Sequence, residues 1–147
     1  MPRPMYESNK DRQNERAIAE MLEQRWDCDA DKLKIACEVD YSLTREGRIV
    51  AVMEVKCRNY DYDTLDRWGG LILSAHKWQA GRRWKETHNI AFILVLGLID
   101  GVFAYSLKAE DPWPEMKLKT AGRRDRGDAQ DIEPCVIIPM QKFQKLD

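Results

Sequence analysis

The chain has 147 residues, 24 Lys and Arg against 25 Asp and Glu, and a formal net charge of −1. This is the length of one domain with a single core, and the charge balance is not that of a basic nucleic-acid coating protein. No stretch reads as a signal peptide or a spanning helix, so a cytoplasmic protein with no membrane partner is expected.

In chain order, residues Asn9 to Trp26 fit a helix, with Ile18, Met21, Leu22 and Trp26 at helical spacing and Asn9 or Asp11 as N-cap. Glu15 lies three residues before Ile18, on the border of the apolar face and towards a sheet, whereas Glu20 falls on the opposite side. A short strand is expected near Leu33 to Cys37, and a second from Val39 to Thr44. Arg45-Glu46-Gly47-Arg48 then supplies a hairpin turn into a strand from Ile49 to Val55. Every residue of that strand except Glu54 is apolar, the pattern of a strand covered on both faces. Period-two geometry sends Glu54 and Lys56 to one face. The hairpin returns Asp40 to the level of Glu54, so two carboxylates and a lysine converge.

Further on, Thr64 to Trp68 reads as a short helix stopped by Gly69-Gly70, and Leu71 to Leu73 as extended. Ser74 is the expected N-cap of a helix from Ala75 to about Thr87, with Ala75 and Trp78 facing inward. An uninterrupted helix from Thr64 to Thr87 is the competing assignment. Ile90 to Leu96 fits a central strand, and Val102 to Leu107 an outer strand after a turn at residues 97–101. Residues 109–134 contain three prolines and few apolar side chains, and read as a long mobile loop in the single domain 1–147. Cys135 to Pro139 is a last short strand, with a loosely held tail from Gln141. The fold class is α/β, a central mixed β-sheet flanked by α-helices.

Charges inside a buried strand need a reason. Two close carboxylates repel unless a cation lies between them, and hard oxygen ligands favour Mg²⁺ or Mn²⁺. A lysine beside them can hold an attacking water or offset charge developing on phosphorus. A solvated edge strand could carry the same residues, but the apolar run around Glu54 argues against it. Asp40 followed, after thirteen intervening residues, by Glu54-x-Lys56 on a hairpin resembles the PD-(D/E)xK nuclease superfamily, with Val39 in place of the proline. The stretches Glu54 to Arg58 and Ser74-x-x-Lys77-Trp78 and the Arg-Asp-rich string from Gly122 resemble small phage-type endonucleases of that superfamily.

The resemblance implies a restriction-endonuclease-like core and a Mg²⁺-dependent endonuclease acting on DNA, with Mn²⁺ able to substitute. It implies metal ligation by Asp40, Glu54 and the Val55 carbonyl, assistance to the nucleophile by Lys56, and orientation of water or a second ion by Glu15. Lys77 and Gln79 match the helix that often approaches such sites. Lys77, Arg82, Arg83 and Lys85, with Trp78 and Trp84 between them, form one phosphate-gripping cluster; Arg123, Arg124 and Arg126 form a second in a glycine-flanked loop. Structure-specific cutting of branched DNA, such as Holliday junctions, would favour a homodimer. The alternative is a catalytically inactive nucleic-acid-binding or protein-interaction module on the same fold. Four cysteines, Cys28, Cys37, Cys57 and Cys135, have no C-x-x-C spacing and only one lies near the C-terminus, which argues against a zinc site or an iron–sulfur cluster and for reduced thiols.

Overall fold

A computed structural model of the chain describes residues 9–34, 37–108, 110–120 and 132–147. Helix α1 (Asn9–Trp26) leads into β1 (Asp29–Lys32), β2 (Tyr41–Arg45) and β3 (Arg48–Cys57). Helix α2 (Tyr62–Arg67), strand β4 (Leu71–Ser74) and helix α3 (Ala75–His88) follow, so a strand separates the two helices. The chain continues through β5 (Ala91–Leu98), β6 (Gly101–Ser106), β7 (Glu115–Thr120) and β8 (Ile132–Ile138), then a 3₁₀ turn (Met140–Lys142) and β9 (Gln144–Lys145).

Six strands form a mixed sheet in the order β1-β2-β3-β5-β6-β9, in which β3 and β5 are parallel and the other pairs antiparallel. The parallel pair requires a crossover, which α2, β4 and α3 supply. Strand β4 also belongs to a three-stranded antiparallel sheet ordered β4-β8-β7. One face of the large sheet buries Tyr41, Leu43, Met53 and Val55 against Ala19 and Leu22 of α1. The opposite face buries Val52, Phe92, Leu94 and Leu96 against Trp78 of α3 and against Leu71, Leu73, Val136 and Ile138 of the small sheet. A central mixed sheet flanked by helices is therefore the architecture, as the periodicities imply.

The β2–β3 turn is a two-residue turn with both residues at positive φ, Glu46 at 54° and Gly47 at 75°. That is the primed geometry matching the twist of paired strands, and glycine meets it without strain. The register shifts between Leu43 and Thr44, leaving Val50 opposite no residue of β2. Here the expectation of two-sided cover fails: Ile49 and Val50 are exposed, and full burial begins only at Ala51.

Four other expectations need correction. The strand expected near residues 33–37 is β1, at Asp29–Lys32, where only Ala30 is buried. It pairs by its backbone along the sheet edge, so alternating apolar side chains are not required. The segment expected as loop contains β7, which pairs residue by residue with β8 from Glu115↔Ile137 to Thr120↔Ile132. The tail is held as well, because Met140 and Phe143 are buried and β9 pairs with β6. Ser74 occupies the N-cap of α3 without a capping bond; its hydroxyl lies 3.1 Å from His76 Nδ1 instead.

Candidate active site

Strand β3 alternates its side chains between the two cores, Met53 and Val55 facing α1 and Val52 facing α3. By that alternation Glu54 faces α3. Its side chain is 1% exposed, a position in which an uncompensated carboxylate would cost several kcal/mol. Two lysines meet it. Lys56, two residues along the same strand, brings Nζ to 2.9 Å from Oε2, and Lys77, in the first turn of α3, brings Nζ to 3.3 Å from Oε1. The Lys77 contact is a hydrogen bond, whereas Oε2 is buried without one, so Lys56 neutralises it by proximity alone.

Asp40 stands where the β2–β3 ladder runs out. The last paired residues are Tyr41 and Met53, and the Asp40 N–H still donates to the Met53 carbonyl at 3.1 Å. One step further, the Val55 N–H has no β2 residue to pair with, and the Asp40 carboxylate replaces the missing partner, accepting through Oδ2 at 2.9 Å. In an antiparallel ladder the N–H and C=O of one residue point to the same edge, so the Val55 carbonyl also lies on the Asp40 side.

The other oxygen of Asp40 faces the α1 layer. Lys32 of β1 lies 3.7 Å from Oδ1 and 3.1 Å from Glu15 Oε2, and its ammonium sits 5.1 Å from the centre of the Tyr41 ring. Burial pushes the Tyr41 phenol above its ordinary pKa, with Lys32 pulling the other way. The carboxylates thus form two groups: Glu54 with Lys56 and Lys77 on the α3 face, and Asp40 with Lys32 and Glu15 towards α1. The Asp40–Val55 hydrogen bond joins them.

Of the residues singled out from sequence, Asp40, Glu54, Val55, Lys56 and Lys77 are assembled around one strand end. Glu15 is linked to Asp40 through Lys32. Gln79, two residues past Lys77 and about 200° around the helix, is exposed. Arg82 pairs with Glu86, donates to the Asp111 carbonyl and lies over the Trp113 ring. Arg123, Arg124 and Arg126 lie outside the described residues. Lys32 was not anticipated. It reaches Asp40 in the register Lys32↔Tyr41, which follows from the start of β1 four residues before the expected strand.

No group of three or more His, Cys, Asp or Glu gathers at one point among the described residues. A cation here would depend on two carboxylates and a backbone carbonyl, all hard oxygen donors, and the buried Oε2 of Glu54 without a hydrogen bond suits such a role.

The sequence pattern of the family described as "Phage putative PDDEXK endonuclease" matches residues 1–146. The chain belongs to this family. No curated protein and no solved structure matches it. The mixed sheet between helical layers is compatible with the PDDEXK nuclease fold. Among the described residues no helix is long and apolar enough to cross a membrane.

Proposed function

We propose that the protein is a Mg²⁺-dependent endonuclease that hydrolyses phosphodiester bonds in DNA, with Mn²⁺ able to substitute. The observation that carries this reading is the buried Glu54 carboxylate between Lys56 and Lys77, one residue from the backbone N–H that Asp40 holds. Family membership points the same way. A binding module has no need of a buried carboxylate flanked by two ammonium groups.

In this mechanism Asp40, Glu54 and the Val55 carbonyl hold the ion. When bound, it supplies Lewis acidity to the phosphate and lowers the pKa of a water. Lys56 is partly exposed, so its ammonium can turn from Glu54 to orient the attacking water and offset negative charge building on the phosphate oxygens. Lys77 holds the buried Glu54 carboxylate in place by hydrogen bonding to Oε1. Lys32 balances Asp40 in the free protein, and Glu15 beyond it orients a water or a second ion. Cutting of branched DNA by a homodimer is the narrower form of the same reading.

Cleavage of a labelled panel (duplex, nick, flap, four-way junction, single strand, RNA) with Mg²⁺ or Mn²⁺ tests the proposal. The parent should cut DNA only with metal, and Glu54→Gln should lower the rate at least about a thousandfold. A Glu54→Gln protein as fast as the parent would contradict the assignment.

A further inference from the structure

Next to Lys56 and Lys77 the surface opens into a groove of about 340 Å³, also lined by Arg58, Tyr60 and Trp68. Trp68 is 61% exposed and Tyr60 42%. Their rings meet edge to face with centroids 4.9 Å apart, forming an aromatic ledge beside the lysines. Three cationic side chains border the groove against one carboxylate outside the Glu54 cluster, Glu133, which lies 3.9 Å from His76.

The ledge is held with more care than its contribution to the core explains. Helix α2 buries only Leu65. Yet Asp61 caps it through the Thr64 N–H at 2.8 Å, both oxygens of Asp100 receive the Tyr62 N–H at 3.2 and 3.3 Å, and Gln141 donates to Asp66 at 2.9 Å. The Tyr60 carbonyl accepts from the Ile99 N–H at 3.1 Å, and the Trp68 N–H bonds back into the helix. Behind Trp68 the chain passes so near β8 that a Cβ on Gly70, at φ 132°, would lie 2.1 Å from the Ile138 carbonyl oxygen. Only glycine fits that approach. The scaffolding fixes two large rings in solvent, which costs free energy unless a ligand covers them.

A rigid aromatic surface next to cations is the composition that binds unpaired nucleotides, bases stacking on the rings while phosphates meet the ammonium and guanidinium groups. The groove volume lies at the small end of the roughly 300–1,000 Å³ range of single-ligand pockets, which suits one splayed nucleotide. We infer that Tyr60 and Trp68 stack an unpaired base of the substrate strand whose phosphate lies at Lys56 and Lys77, so that the enzyme selects DNA with unpaired nucleotides at the cut over continuous duplex. This inference rests on the nuclease reading for its placement at the cleavage point, but the ledge can be tested without cleavage.

The test is fluorescence anisotropy of labelled oligothymidylate, a flap and a blunt duplex in EDTA, with the parent, Trp68→Ala, Trp68→Phe and Tyr60→Ala proteins. Trp68→Ala should weaken single-strand and flap binding roughly tenfold and leave duplex binding unchanged, with Trp68→Phe retaining most of the affinity. Tyr60→Ala should lower the same two affinities. Equal losses on all three DNAs, or none, would overturn the inference. So would a Trp68→Ala protein that changes only from dimer to monomer in sedimentation, which would make the ledge a protein contact. Cleavage separates the two readings. A parent that never cuts but shows Trp68-dependent single-strand binding keeps the ledge and loses the nuclease; a parent and Trp68→Ala that cut flap and duplex in the same ratio keep the nuclease and lose the ledge.

Discussion

The carboxylates on the two sides of β3 live under different rules. Glu54 is sealed on the α3 face and held by two lysines that are each less than a third exposed. Asp40 and Glu15 share Lys32, which is 44% exposed, at the open edge of the sheet. Buried charge is costly and must be neutralised wherever the chain folds, so the Glu54 group is structural and chemical at once. Lys32 is half in solvent while Glu15 and Asp40 are only 13% and 18% exposed, so the ammonium can swing away when a cation or phosphate arrives and the two carboxylates keep their places. The difference teaches that one half of the proposed site is preset by folding while the other half adapts.

Each half can be broken separately. The largest expected effect is from Lys77→Met, which leaves Oε1 of Glu54 buried without its hydrogen-bond donor and should destabilise the fold by about 1–3 kcal/mol in urea unfolding. No change in stability would mean that Glu54 is not held as described. Lys32→Met should leave stability within about 1 kcal/mol but tighten Mn²⁺ binding by roughly threefold to tenfold, because it removes a positive charge beside Asp40. Weaker Mn²⁺ binding in this variant would show that Lys32 organises Asp40 and does not compete with the ion. Glu15→Gln should have the smallest effect. It releases Lys32 towards Asp40 and should weaken Mn²⁺ binding by less than about threefold; loss of binding would move Glu15 into direct ligation.

The Glu54 half of this arrangement was legible in the chain, and the Lys32 half was not. Glu54 stood out because it interrupts an apolar run, and burial of Ala51 to Val55 is the reason that run exists. The Glu46-Gly47 turn set the hairpin that carries Asp40 back, and α1 spans the residues its apolar spacing marks. Strand β1 was hidden because Asp29-Ala30-Asp31-Lys32 buries one side chain, and with it went the register that brings Lys32 to Asp40. Strand β7 was hidden for a related reason. Its Met116 and Leu118 are exposed between charged neighbours, and the prolines around it read as loop. The tail escaped because Met140 and Phe143 are anchored singly, and two apolar residues are too few to establish a period. Tyr60 and Trp68 look like ordinary core aromatics until their exposure is known.

The central claim is that Asp40 and Glu54 together hold a divalent cation, and calorimetric titration of Mn²⁺ into the parent, Asp40→Asn and Glu54→Gln proteins tests it most directly. The account predicts a binding heat in the parent that disappears in both variants while their circular dichroism remains that of the folded protein. Equal binding in all three, or none in the parent, would contradict it.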